Sequence, residues 1–87
     1  MGMTVTGVTA DLRWGYHRAG TLRAWTVTKS DEIWSLTATV VSADAFRVAQ
    51  RPLVLVAPHA HGAWRWPVVE LQIAGASLTA TLGPPEK

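Results

Sequence analysis

Ser77-Leu78-Thr79-Ala80-Thr81-Leu82 alternates without a break. Leu78, Ala80 and Leu82 fall on one side of an extended chain and Ser77, Thr79 and Thr81 on the other, because successive strand residues point to opposite faces. This is a strand with one face in a core and one in water. The signature recurs upstream. Residues 21–29 (TLRAWTVTK) and 33–42 (IWSLTATVVS) are rich in Thr, Val, Ile and Trp, which suit a pleated surface. In the second segment Trp34, Leu36, Ala38 and Val40 share the inward face. Lys29-Ser30-Asp31-Glu32 between the two reads as a polar hairpin turn, with Trp25 and Trp34 as cross-strand or diagonal neighbours.

Residues 3–9 predict a first strand. Residues 12–18 (LRWGYHR) fit a strand or a loop, since Gly15 interrupts them. Residues 43–50 (ADAFRVAQ) break the alternation. Ser42 or Asp44 can N-cap a turn or two of helix there, with Phe46 and Ala49 inward, and Pro52 excludes a longer helix. Leu53 to Val56 is a continuous apolar run, as in a strand covered on both faces. His59-Ala60-His61-Gly62 makes a turn, and residues 63–74 (AWRWPVVELQIA) a long strand. Pro67 donates no hydrogen bond, so it marks an edge or a bulge. Trp64 and Trp66 have one parity and Val69, Leu71 and Ile73 the other; a bulge at Pro67 would bring them together. Gly75-Ala76 closes a hairpin.

The expected fold is therefore all-β: a small barrel or sandwich of five to seven short antiparallel strands with one short helical segment. Residues 1–87 form one domain, with 83–87 an exposed C-terminal tail. The expected core is Val27, Leu36, Val40, Phe46, Leu53, Leu55, Val69, Leu71, Ile73, Leu78 and Leu82.

Composition narrows the function. There is no Cys, which excludes disulfides, thiolate nucleophiles and Cys-based zinc sites. The N-terminal residues lack the basic and apolar regions of a signal peptide, and the apolar run at residues 53–58 is too short to span a bilayer. A soluble protein, cytoplasmic or within a particle, is expected. Hydrophobic residues make up 48% of the chain and charged residues 16%, with a net charge of +2. So sparse a charge belongs to a surface that a partner covers, or to an ordinary Ala/Thr-rich domain.

Candidate chemistry is thin. His59-x-His61 has metal-like spacing, with His17, Glu70 or Asp44 as conceivable third ligands, but between Pro58 and Gly62 it reads as exposed turn histidines. No metal or cofactor is expected. Asp31 and Glu32 are adjacent acids in a turn, and no nucleophile elbow, phosphate-binding glycine loop or metal-binding helix motif is present. No enzymatic activity is expected.

Five Trp residues are more than a small core readily absorbs. Trp and Arg anchor interfaces, so the expected function is a non-catalytic protein–protein assembly module. It would be a subunit of a homo-oligomer or of a phage- or virion-type particle. The expected interface residues are Trp14, Tyr16, Trp25, Trp64, Arg65 and Trp66. The alternative is a barrel that binds single-stranded nucleic acid through Arg13, Arg18, Arg23, Trp25 and Lys29, since bases stack on rings and phosphates meet cations.

Overall fold

The computed structural model describes residues 2–86. Six antiparallel strands and one helical turn follow in order: β1 (Met3–Trp14), β2 (His17–Ser30), β3 (Ile33–Ala43), α1 (Ala45–Val48), β4 (Leu53–His59), β5 (Gly62–Ala74) and β6 (Ser77–Leu82). They close a barrel in the order β1-β2-β3-β6-β5-β4. Two three-stranded meanders, β1-β2-β3 and β4-β5-β6, meet at two seams. The β3–β6 seam pairs Trp34 with Leu82 through to Thr39 with Ser77. The β1–β4 seam is short, running only from Asp11 opposite Val56 to Arg13 opposite Val54.

Tight turns set this topology. Asp31 and Glu32 both take positive φ (52° and 67°) between paired Ser30 and Ile33, the geometry of a two-residue hairpin that follows strand twist. The ambiguous segment around Gly15 resolves into strand, turn, strand: Trp14 pairs with His17, and Gly15 (φ 61°) and Tyr16 form the loop between them. Asp44 caps α1, its Oδ1 accepting the Arg47 N–H at 3.0 Å.

The core holds Leu12, Leu22, Val27, Leu36, Leu53, Leu55, Val68, Leu78 and Leu82 around three buried indoles, Trp25, Trp34 and Trp66. Trp66 lies 6.1 Å from each of the other two, ring centre to ring centre. Trp25 and Trp34 thus meet across a third ring instead of directly. The Trp25 Nε1–H donates to the Thr9 carbonyl at 2.9 Å. The Trp66 Nε1–H is buried without an acceptor among the described residues. Ala10, Ala19, Ala57 and Ala80 are also buried, and the Trp25 ring lies flush on Gly7, where there is no Cβ to displace it.

Several expected core positions move. Phe46 is 67% exposed, and Ala49 also faces solvent; a single helical turn has one inward place, and Val48 takes it. On β5 the register shift falls between Val68 and Glu70, not at Pro67. Trp64, Trp66 and Val68 therefore share one parity, Leu71 and Ile73 follow on the same side, and Val69 is turned outward, 57% exposed. Ile73 is exposed near the strand end, and Val40 and Leu71 are half-buried against the core. Pro67 is no edge; it pairs with Val54 on β4, and its carbonyl accepts the Gly83 N–H at 2.8 Å. The β4 run is buried on one face and half-buried on the other.

The C-terminal segment is less free than expected. Gly83 and Pro85 are half-buried and the Glu86 N–H donates to the Arg65 carbonyl at 2.7 Å, so residues 83–86 run along β5. Lys87 lies outside the described residues.

Gly7→Ala places a Cβ 2.5 Å from Trp25 ring atoms. It is expected to lower stability by about 1–3 kcal/mol through overpacking. Trp66→Ala is expected to cost about 3–5 kcal/mol by opening a cavity. Urea unfolding checks both, as a fall in midpoint at unchanged slope.

Candidate functional site

The residues singled out for an interface divide into three places. Trp25 and Trp66 are inside the barrel and present no surface. Their sequence neighbours misled: a bulge between Arg23 and Thr26, with Ala24 at φ 52°, lets Arg23 and Trp25 point to opposite sides of the same strand. The stripe Arg23-Trp25-Val27-Lys29 therefore does not exist as one surface. Arg23 is exposed, Trp25 and Val27 are core, and half-buried Lys29 lies over the Trp34 ring at 5.5 Å, 3.8 Å from Glu32.

Trp64 and Arg65 lie beside the β4–β5 turn. Trp64 is 37% exposed and stacks on Trp66 at 5.6 Å with 22° between planes, so it extends the internal indole column towards solvent. His59 lies 5.2 Å from Trp64. The Nδ1 of His59 accepts the His61 backbone N–H at 3.1 Å, which ties that nitrogen to the turn. Among the described residues no three His, Asp or Glu side chains gather closely enough to hold a metal ion.

Trp14 and Tyr16 sit at the β1–β2 turn, beside α1. Here the fold gathers an aromatic cluster. Phe46 meets Trp14 edge-on at 6.1 Å and His17 lies 5.8 Å from the same indole, while Tyr16 at the turn tip is 100% exposed. Asp44 capping starts α1 one residue before Phe46, and Val48 anchors the turn, so Phe46 is held outward over Trp14. Arg13 and Arg18 flank the cluster. Both approach Asp11, at 3.7 and 3.5 Å, and the Arg47 guanidinium donates to the Arg18 carbonyl at 3.3 Å. These contacts are solvent-exposed and each is worth under about 1 kcal/mol. Arg13 and Arg18 are cross-strand partners one pair along from Trp14 and His17. Phe46 was missed as a surface aromatic because a helical pattern one turn long carries no face information.

A second surface is polar and sparsely charged. Cross-strand pairing aligns Thr4, Thr28, Ser35 and Thr81 in one row, ending at Glu70, and Thr6, Thr26, Thr37 and Thr79 in the next, ending at Gln72. A shallow groove runs over the β3, β6 and β5 part of this face. These hydroxyl rows account for much of the low charge: the barrel is solvated there by Thr and Ser instead of Lys and Glu.

Comparison with protein-family models, curated proteins and solved structures finds no match to this chain in any of the three.

Phe46→Ser is expected to change stability by no more than about 0.5 kcal/mol, as at other exposed positions. Val48→Ala, two residues on, is expected to cost roughly 1.5 kcal/mol from two buried methyl groups at ~0.8 kcal/mol each. Paired urea titrations test this contrast. Equal losses would show that Phe46 packs as a core residue.

Proposed function

We propose that this protein is a non-catalytic assembly module that docks through protein–protein contacts, as a subunit of a homo-oligomer or of a larger particle of phage or virion type. The observation that supports it is the aromatic cluster at the helix end. A domain this small gains stability from every apolar ring it buries, yet Phe46 and Tyr16 stand in solvent and Trp14 is half-covered. Exposed rings with Arg13, Arg18 and Arg47 near them in the chain combine residue types that anchor interfaces.

Single-stranded nucleic acid is the other reading. Its intended stacking ring, Trp25, is buried, and Arg13 and Arg18 share the Asp11 carboxylate. What remains for it is Tyr16 and Trp14 beside those two cations, with Arg23 exposed elsewhere and Lys29 engaged by Glu32.

Light scattering on the purified protein tests the proposal. The wild type is expected to show a mass above the 9.4 kDa of one chain. A Tyr16→Ser, Phe46→Ser variant is expected to lose mass while keeping the wild-type circular dichroism spectrum. A wild-type mass that is insensitive to both substitutions would overturn the role of the cluster. A monomer that co-purifies with nucleic acid and releases it steeply as salt rises would favour the other reading.

A further inference from the structure

We infer that residues 3–8 of β1 pair edge to edge with the same segment of a second copy of this chain, antiparallel across a twofold axis. This rests on reading the chain as an assembly subunit, but it uses a surface separate from the helix-end cluster.

Two six-residue strand stretches among the described residues are paired on one side only. β1 is joined to β4 only at residues 11–13, so residues 3–8 have β2 on one side and no strand on the other. β5 leaves β4 after Val68, so residues 69–74 have β6 on one side only. Unpaired backbone N–H and C=O groups along an edge are a template for another strand, and folded proteins guard them with charges, Pro or bulges.

The two edges differ in that respect. The β5 edge is guarded: its register is broken at Val69, and Glu70 follows, which puts a charge on the edge. The β1 edge, Met3-Thr4-Val5-Thr6-Gly7-Val8, has no charge and no Pro. Val8 is 75% exposed and Met3 is exposed as well, so apolar side chains stand beside unpaired backbone. The nearest cation, Lys29 opposite Met3, is matched by Glu32. A neutral segment can pair with its own copy without placing like charges together, and a twofold contact satisfies both edges at once. It would also continue the hydroxyl rows, setting Thr4 and Thr6 of one copy beside those of the other, a favourable cross-strand pairing.

Charge substitution on the outer face tests this. Thr4 and Thr6 are exposed and point away from the core, so Lys or Glu is sterically accommodated there. A Thr4→Lys, Thr6→Lys variant and a Thr4→Glu, Thr6→Glu variant are each expected to lose a twofold step in mass by light scattering, with unchanged far-ultraviolet circular dichroism. An equimolar mixture of the two is expected to regain it, because opposite charges then face each other. Should either variant unfold, hydrogen exchange on the wild type gives the same answer: amides in residues 3–8 should lose protection on dilution. Variants that keep the wild-type mass, or amides whose exchange ignores concentration, would overturn the inference. So would loss of the twofold step on Val69→Lys, which would assign the contact to β5. If the helix-end variant dissociates the assembly and the edge variants do not, the edge inference fails and the proposed function stands. The reverse result removes the aromatic cluster and keeps the edge.

Discussion

The contact of Trp66 with Trp25 and Trp34 inside the barrel is the interaction on which the rest depends. Six strands enclose a volume that ordinary aliphatic side chains fill only in part, and three indoles supply the missing bulk. Rings that large require small residues opposite them, and Gly7 lies under Trp25 for that reason. They also require the strands to aim them. The bulge at Ala24-Trp25 turns one ring inward, and the β5 register shift after Val68 keeps the rest of that strand facing the same interior.

Filling the interior with rings shapes the outside. Because the core is built from Trp and Leu at alternating positions, the intervening positions are free to be polar, and the chain fills them with Thr and Ser more than with charge. Two rows of hydroxyls then cross β1, β2, β3 and β6. A β-branched hydroxyl residue suits both strand geometry and solvent. Low charge in this protein is thus largely a property of its sheet face. Apolar groups left in solvent include Phe46 and Tyr16 beside α1, Met3 and Val8 on β1, Val69 and Ile73 on β5, Ile33 and Val41 on β3, and Trp64 beside the β4–β5 turn.

The same constraint explains the open edges. β4 is half the length of β2, and it links β1 to β5 over a limited span. A barrel closed by one short strand leaves its longer neighbours protruding beyond it. The protruding half of β5 carries a bulge and an acid, while that of β1 carries neither.

Much of the architecture was legible in local pattern. Strand period is a property of consecutive residues, so Ser77 to Leu82 and Trp34 to Val40 revealed their inward faces, and Gly75-Ala76 its turn; the turn read at residues 29–32 narrows to Asp31-Glu32, since Lys29 and Ser30 remain paired in β2. A capped helical turn before Pro52 was equally readable. The parity of Trp25 and Val69 was not, because a bulge shifts every later side chain by one face and leaves no mark in the alternation around it. Phe46 and Val48 could not be told apart, since one turn of helix has no repeat from which to read a face. The candidate site was legible at Trp14 and Tyr16, which adjoin a glycine turn, and illegible at Phe46, which reaches them only after β2 and β3 have carried the chain back. By itself the sequence determined strands, turns and an all-β class, because these follow from interactions between near neighbours. Only the tertiary structure decided which tryptophans fill the barrel and which strand edges stay open, because both depend on register between segments distant in the chain.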